Sequence, residues 1–338
     1  MRSSAELDER LSRPRDALAA DLRDVDGDLL ILGAGGKLGP SLVRLALRGV
    51  AAAGTGARVI AVSRFSEPGL ADALRAEGAE VHSADVADDD ALAALPDAAN
   101  VVFLVGSKFG STGREAATWA TNTYLPGRVV ERFRGARLVA LSTGNVYPLV
   151  PVVSGGCTEH TPTDPVGEYA MSCLGRERVI THLAGRSGTP VALIRLNYAV
   201  EMRYGVLIDI ASAVFAGKPV DLSTGHVNVV WQGYANEVTL RALRHAGVPP
   251  FVVNVTGPEL LSVREVATEF GRLLDREPVF TGVEAPTALL SNAQRCHHLF
   301  GYPDVPVAQL LEWTAGWVAD GKPLLHKPTG FQRRDGRF

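Results

Sequence analysis

The sequence is poor in the features that mark a specialised chain. Cysteine occurs only as Cys157, Cys173 and Cys296, with no CxxC pair and no zinc-ligand spacing. That excludes a disulfide framework and fits a reducing, cytoplasmic setting. Neither charge is in excess: 34 basic against 37 acidic residues leave a formal net charge of −3, which offers no electrostatic footprint for nucleic acid. No apolar run reaches the length of a membrane span. The N-terminal stretch MRSSAELDERLSRPRDALAADLRDVDGD alternates charges where a signal peptide would be apolar, and reads as an amphipathic helical extension over residues 1–26. Internal repeats and low-complexity tracts are absent as well. What remains is the profile of a globular chain of 338 residues, 46% hydrophobic and 21% charged, long enough for one large domain with a smaller lobe.

From Asp28 onward apolar runs alternate with longer Ala/Leu/Arg-rich segments. DLLILG, ARVIAVS, AEVHSA, NVVFLVG, ARLVALS, PVALIRL and FVVNV are continuous in their apolar residues, as strands covered on both faces are, so a doubly wound parallel α/β sheet is expected. A dinucleotide-binding half over 27–196 and 229–256 and a smaller mixed lobe from 197–228 and 257–338 then follow. The lobe should pack beside the carboxyl ends of the strands, where open α/β sheets bind ligands. The tail KPTGFQRRDGRF reads as an irregular basic terminus.

LLILGAGGKLGPSLVRLAL is a strand, a glycine turn and a helix in succession. A P-loop would need Ser or Thr after Lys37, where Leu38 stands; GxGxxG would need glycine at 38. The spacing that fits is Gly33, Gly36, Gly39. Glycines in such a turn bring the backbone close to a pyrophosphate resting on the helix N-terminus. Without a ligand, it is simply a tight strand-to-helix connection. The second strand ends at Ser63 and Arg64 with no acid, which favours a 2′-phosphate and hence NADP, with NAD possible; the alternative for Arg64 is a solvated loop charge. Lys37 adds positive charge to the loop. Asp85, followed by Val86 after the third strand, either meets the adenine edge or caps the next helix.

With these glycines, the later landmarks resemble the extended short-chain dehydrogenase/reductase family, which includes nucleotide-sugar epimerases and dehydratases. ARLVALSTGNVYP is similar to the family's fifth strand, GEYAMSC falls where the family places Tyr-x-x-x-Lys, and RLNYA lies where its substrate lobe begins. The resemblance runs from about Asp28 to Trp317 and implies a Rossmann-like fold. It implies Tyr169 as general acid or base, with Thr143 and the adjacent Ser142 holding the same substrate oxygen. Asn122 resembles the family's helix asparagine, and Leu38, Val86 and Val105 fall at cofactor-lining positions. The resemblance also implies a homodimer through the fourth and fifth helices.

Cys173 stands where the family carries lysine. A phenol titrates near pH 10, and a neighbouring cation lowers it by roughly 1–3 units; a thiol supplies no such charge. Three outcomes are open. Lys108 or Arg176 supplies the cation, Tyr169 acts only as an acid or hydrogen-bond donor, or a dinucleotide is bound without turnover. Cys173 is either inert packing or, with His160, a nucleophile.

Gly144 and Asn145 replace the Asp and Glu of the family's dehydratases, which argues against elimination of water. Asn145 binds substrate or caps its turn. Arg195, Asn197, Tyr198, Glu201, Arg203 and Tyr204 offer donors and acceptors for a polyhydroxylated, sugar-like substrate, unless Arg195 and Glu201 pair with each other. Nothing resembles a diphosphate clamp in the lobe. The expected activity is an NAD(P)-dependent oxidoreductase or epimerase acting on a carbohydrate hydroxyl or keto group. The rivals are a non-catalytic dinucleotide-binding regulator and a non-redox enzyme on the same fold. No metal, nucleic-acid or membrane partner is expected.

Overall fold

The computed structural model describes every residue of the chain except Phe109, Ser111, Pro328 and Phe338. The seven apolar runs form one parallel sheet: β1 (Leu29–Leu32), β2 (Val59–Ser63), β3 (Glu80–Ser83), β4 (Asn100–Phe103), β5 (Arg137–Thr143), β6 (Val191–Leu196) and β7 (Phe251–Val255). Their spatial order is β7-β6-β5-β4-β1-β2-β3. β1, β4 and nearly all of β5 and β6 are buried, because helices cover both faces.

Two helices, α1 (Ser4–Leu11) and α2 (Asp16–Arg23), precede the sheet. They bury Leu7, Leu11, Leu18 and Leu22 in the main core, while Arg15 pairs with Glu237 at 2.8 Å. The glycine turn leads into α3 (Gly39–Ala53), which has Pro40 in its first turn and stops at the left-handed Gly54. Further along lie α4 (Leu70–Ala76), α5 (Asp89–Ala93), α6 (Glu115–Trp119) and α7 (Leu125–Arg132), the last two joined by a π-turn over Ala120–Tyr124. The long α8 (Gly167–Ser187) carries Tyr169 and Cys173 in its first two turns.

After β6 the chain forms α9 (Val206–Phe215), returns through α10 (Gln232–Arg241) to β7, and finishes with α11 (Val263–Leu274), α12 (Gln294–Phe300) and α13 (Val307–Ala319). α9, α11 and α13 share one apolar core through Ile210, Phe270 and Trp317. The segment beyond α13 has no helix or strand among its described residues, yet it docks: Phe331 and Thr329 are buried.

Register sets the site. Leu32 stands opposite both Val62 and Phe103, so the first residues after β1, β2 and β4 emerge together at one edge. Residues following β5 and β6 join them, because Thr143 is paired with Leu196.

Candidate active site

A cavity of about 720 Å³ opens at that edge, lined by the glycine turn, the ends of β2, β4, β5 and β6, the start of α8, and the tail at Lys327 and Thr329. Gly33 takes φ +93°, where a side chain is strained, and a Cβ on Gly39 would stand 2.3 Å from the Ala34 carbonyl oxygen. These two positions demand glycine because the turn is left-handed at one and the helix start lies on the turn's own backbone at the other. The Gly36 amide is used internally, donating to Gly33 O at 2.9 Å, whereas the Lys37 and Leu38 amides have no acceptor among the described residues. Two vacant donors at the mouth of a fifteen-residue helix suit a phosphate oxygen.

At one end of the cavity lie Ser63, Arg64, Asp85 and Val86. Arg64 is 76% exposed and faces Asp85 at 3.7 Å. Asp85 Oδ1 accepts from the Ala87 amide at 3.0 Å, while the cap of α5 is Asp88. Asp85, in the loop after the next strand, thus partly balances the positive charge of Arg64.

At the other end the structure brings Thr143 and Tyr169 together. Their hydroxyls are hydrogen bonded, and Cys173 also contacts the phenol. Thr143 Oγ1 lies 3.1 Å from Asn145 Oδ1 and accepts from the Asn145 amide at 3.1 Å, which places Asn145 in the cavity wall. Burial pushes Tyr169 above its usual range and Cys173 adds to this, while Thr143 and the Arg176 guanidinium oppose it. Burial likewise raises the Cys173 thiol. Cys173 packs with Val146, Tyr147 and Cys157 and His160 is exposed, so no imidazole activates it.

Lys108 Nζ sits 5.8 Å from the Tyr169 ring centre and 6.0 Å from that of Tyr198, and donates to Thr329 O at 3.5 Å. Burial lowers it to about 8. Arg176 is buried and reaches the cavity wall from behind. Both expected cations are therefore beside the phenol.

Several expected side chains are engaged with protein partners, although Ser142 and Lys37 still line the cavity. The Ser142 hydroxyl donates to Glu177 Oε1 at 2.5 Å. Arg195 joins the same carboxylate at 2.7 Å and the Tyr147 hydroxyl at 2.7 Å, so its partner is Glu177 and not Glu201. Glu201 instead holds Arg203 at 3.1 Å, and Arg203 reaches Asp8 at 3.0 Å; it is absent from the cavity lining. Asn122 is fully buried behind the wall, clamping Ser107 through its amide at 2.8 Å in both directions. Lys37 turns away from Arg64: its Nζ donates to Ala199 O at 3.0 Å and lies 3.6 Å from the Tyr204 ring centre.

Asn197 and Tyr204 do line the cavity, as do Val105 and Leu38. Asn197 is 2% exposed and its Nδ2 has no partner among the described residues, which leaves a buried donor open to an acceptor. Tyr198 beside it has φ +44°, a strained conformation of the kind that collects at ligand sites. The tail residues Lys327 and Thr329 were missed by sequence reading; nothing periodic marks them. No group of three or more His, Cys, Asp or Glu among the described residues could hold a metal, and no described helix is long and apolar enough to cross a membrane.

A family model described as the NAD dependent epimerase/dehydratase family matches residues 29–200. No curated protein matches the sequence. Among solved structures, UDP-glucose 4-epimerase from the hyperthermophilic eubacterium Thermotoga maritima, with UDP-glucose, aligns over 87% of this chain and 99% of its own at 16% identity and a TM-score of 0.70. UDP-glucuronic acid 4-epimerase from Bacillus cereus, with UDP-glucuronic acid and NAD, covers the same shares at 17% identity and a TM-score of 0.73. dTDP-glucose 4,6-dehydratase from Streptomyces venezuelae, with NAD and TYD, aligns over 87% of this chain and 97% of its own at 20% identity and a TM-score of 0.73. At such identities these likenesses establish the shared fold.

Proposed function

We propose that this chain, which belongs to the NAD dependent epimerase/dehydratase family, is a nicotinamide-dependent oxidoreductase or epimerase acting on a hydroxyl or keto group of a carbohydrate-like substrate. The observation that carries the reading is the hydrogen-bonded pair Thr143 and Tyr169 facing the vacant turn amides across one cavity. The Lys37 and Leu38 amides would hold the diphosphate, and Ser63, Arg64 and Asp85 the adenosine end, with Arg64 favouring NADP. The bound nicotinamide supplies or accepts hydride. Tyr169 Oη gives a proton to the substrate oxygen, or takes one from it, and Thr143 Oγ1 hydrogen-bonds that oxygen. Lys108 stabilises negative charge on the phenol, supported by Arg176.

In this reading residues 27–196 and 229–256 bind the dinucleotide, and 197–228 with 257–338 close over the substrate. Exposed Tyr124 and Met171, on the helices next to the site, support a homodimer through that face. Three buried free thiols support a reducing, cytoplasmic compartment.

One observation favours a non-catalytic regulator: Cys173 replaces the lysine, and burial raises the phenol. The deciding experiment titrates the purified protein with NADPH and NADH by fluorescence, then incubates it with a panel of sugars and sugar acids and follows both the absorbance of the reduced nicotinamide, for net oxidation or reduction, and the sugar products, for epimerisation, which leaves that absorbance unchanged. Turnover lost in Tyr169→Phe supports the enzyme. Tight binding with no turnover, unchanged by that substitution, overturns it in favour of the regulator.

A further inference from the structure

We propose that the irregular tail after α13 is a working part of the active site: Asp209 clamps Thr329, and the clamped tail holds Lys108 beside Tyr169. Thr329 and Asp209 are then positioning residues, acting through the lysine. The inference deepens the reading of Tyr169 as the group that moves a proton, and rests on it. Thr329 is 3% exposed in a stretch with neither helix nor strand among its described residues, so its polar groups need partners outside any regular ladder. Each finds one. The amide and hydroxyl donate to Asp209 Oδ2 at 2.8 and 2.5 Å, the hydroxyl accepts from the Phe331 amide at 3.3 Å, and the carbonyl accepts from Lys108 Nζ at 3.5 Å.

Asp209 stands in the first turn of α9. Burial raises its carboxyl, and the two bonds from Thr329 oppose that, so charge-assisted hydrogen bonds fix the tail to the lobe. The same carboxylate attracts Lys108. Further anchors lie on either side: the Leu325 amide donates to Arg203 O at 3.0 Å, Thr224 to Gln332 O at 3.2 Å, and Arg334 to Thr287 O at 2.6 Å. Gly336 then abuts Gly167, two positions before Tyr169, with its carbonyl oxygen 2.5 Å from where a Cβ on Gly167 would stand. The tail thus touches both elements that carry the acid–base group and its cation, the loop after β4 and the start of α8.

A lysine head on a flexible four-carbon stem has many rotamers, and a fixed acceptor selects among them. The Thr329 carbonyl is such an acceptor, and the rotamer it accepts leaves Nζ 5.8 Å from the Tyr169 ring centre and 6.0 Å from that of Tyr198. Among the described residues, the groups facing Lys108 are Asp209 from α9, Cys173 and Tyr169 from α8, Lys37 from the glycine turn and Tyr198 after β6. A released tail would let water reach the ammonium and free Asp209 to approach it. Both changes favour the charged form of Lys108.

The test titrates the full chain, labelled with isotopic lysine, by NMR. Lysine occurs only at positions 37, 108, 218, 322 and 327, so the Lys108 signal is assigned by its loss in Lys108→Met. It should titrate at about 8 in the native chain. Thr329→Val, which keeps the shape and loses the hydroxyl, should raise it by about one unit or more toward the 10.4 of a solvated lysine, and Thr329→Ser should restore it. Trypsin cleavage after Arg333, read by mass spectrometry, should quicken about tenfold in Thr329→Val and not in Thr329→Ser. A chain stopped after Lys327 removes the clamp outright and should show the same rise. In turnover, Thr329→Val and Lys108→Met together should cost no more than the larger single loss. Lys108 unmoved in either tail variant, faster cleavage without a shift of Lys108, or additive losses of turnover overturn the inference. The titration needs neither nicotinamide nor sugar; failure of NADPH and NADH to bind overturns the nicotinamide reading instead, and is seen separately.

Discussion

Arg176 donates from Nε to the main-chain oxygen of Asn122 at 3.0 Å and from Nη2 to its side-chain oxygen at 3.1 Å. The same guanidinium reaches Leu141 O at 2.5 Å and Val105 O at 3.1 Å. One buried cation thereby ties the ends of β4 and β5 to the π-turn and α8. Its charge lowers both Tyr169 and Cys173, so a guanidinium one turn beyond Cys173 acts on the phenol from behind the wall.

Arg176→Met removes the guanidinium donors from Asn122 O, Leu141 O and Val105 O, and leaves Asn122 Oδ1 only its bond from the Ser107 amide. A loss of about 3 kcal/mol is expected, since each orphaned buried group costs roughly 1–3 kcal/mol and relaxation recovers part. Urea unfolding measures it. Arg176→Lys, which keeps charge but not the fork, should fall between the two.

Lys108→Met should reduce turnover by about tenfold or more, as loss of a cation beside an acid–base group does. Adding Cys173→Lys in that background should restore much of the rate. A rescue measured as kcat, with KM for the nicotinamide unchanged, separates replacement of the cation from general repair. Absence of rescue would show that Lys108 acts elsewhere.

Arg64→Ala should weaken NADPH about tenfold, equivalent to about 1.4 kcal/mol, while NADH changes little. Asp85→Asn should strengthen NADPH a few-fold, because the competing carboxylate 3.7 Å away is removed. Equal loss of both cofactors in Arg64→Ala would remove the argument for a phosphate preference.

Lys37 makes stability depend on pH. An unfolded lysine titrates near about 10.4, whereas burial holds the folded one at about 7. Between those values the unfolded chain binds more protons, so Lys37 makes ligand-free stability rise with pH. Glu201, which pairs with Arg203, and Asp209, which accepts from Thr329, face the same cluster, and burial raises both carboxyls. Melting temperature measured from pH 6 to 9, with Lys37→Met as control, checks the slope.

The sheet was readable because its strands are buried on both faces: runs such as LLIL and VVF have no polar interruption to obscure them. The neighbourhood of Thr143 and Tyr169 was readable only through resemblance, since no local pattern links a strand end to a helix start 26 positions later. Side-chain direction was not readable at all. Lys37 belongs to the turn but bends to Ala199 and Tyr204, and Arg203 is drawn off by Asp8, 195 positions away. The tail reads as irregular and is irregular; its docking depends on single contacts such as Thr329 with Asp209, which leave no periodicity behind.

Glu177 and Arg195 pair at 2.7 Å with both side chains almost wholly enclosed, and the chain of contacts continues through Tyr147 to Asn254 at 2.8 Å. Losing either charge alone strands the other and costs about 3–5 kcal/mol, whereas exchanging both for well-packed apolar residues is often neutral. Descent from a common ancestor must therefore cross a deep fitness valley at these two positions or change them in concert. In an alignment of this chain's homologues, positions 177 and 195 should covary, and mixed combinations should be rare.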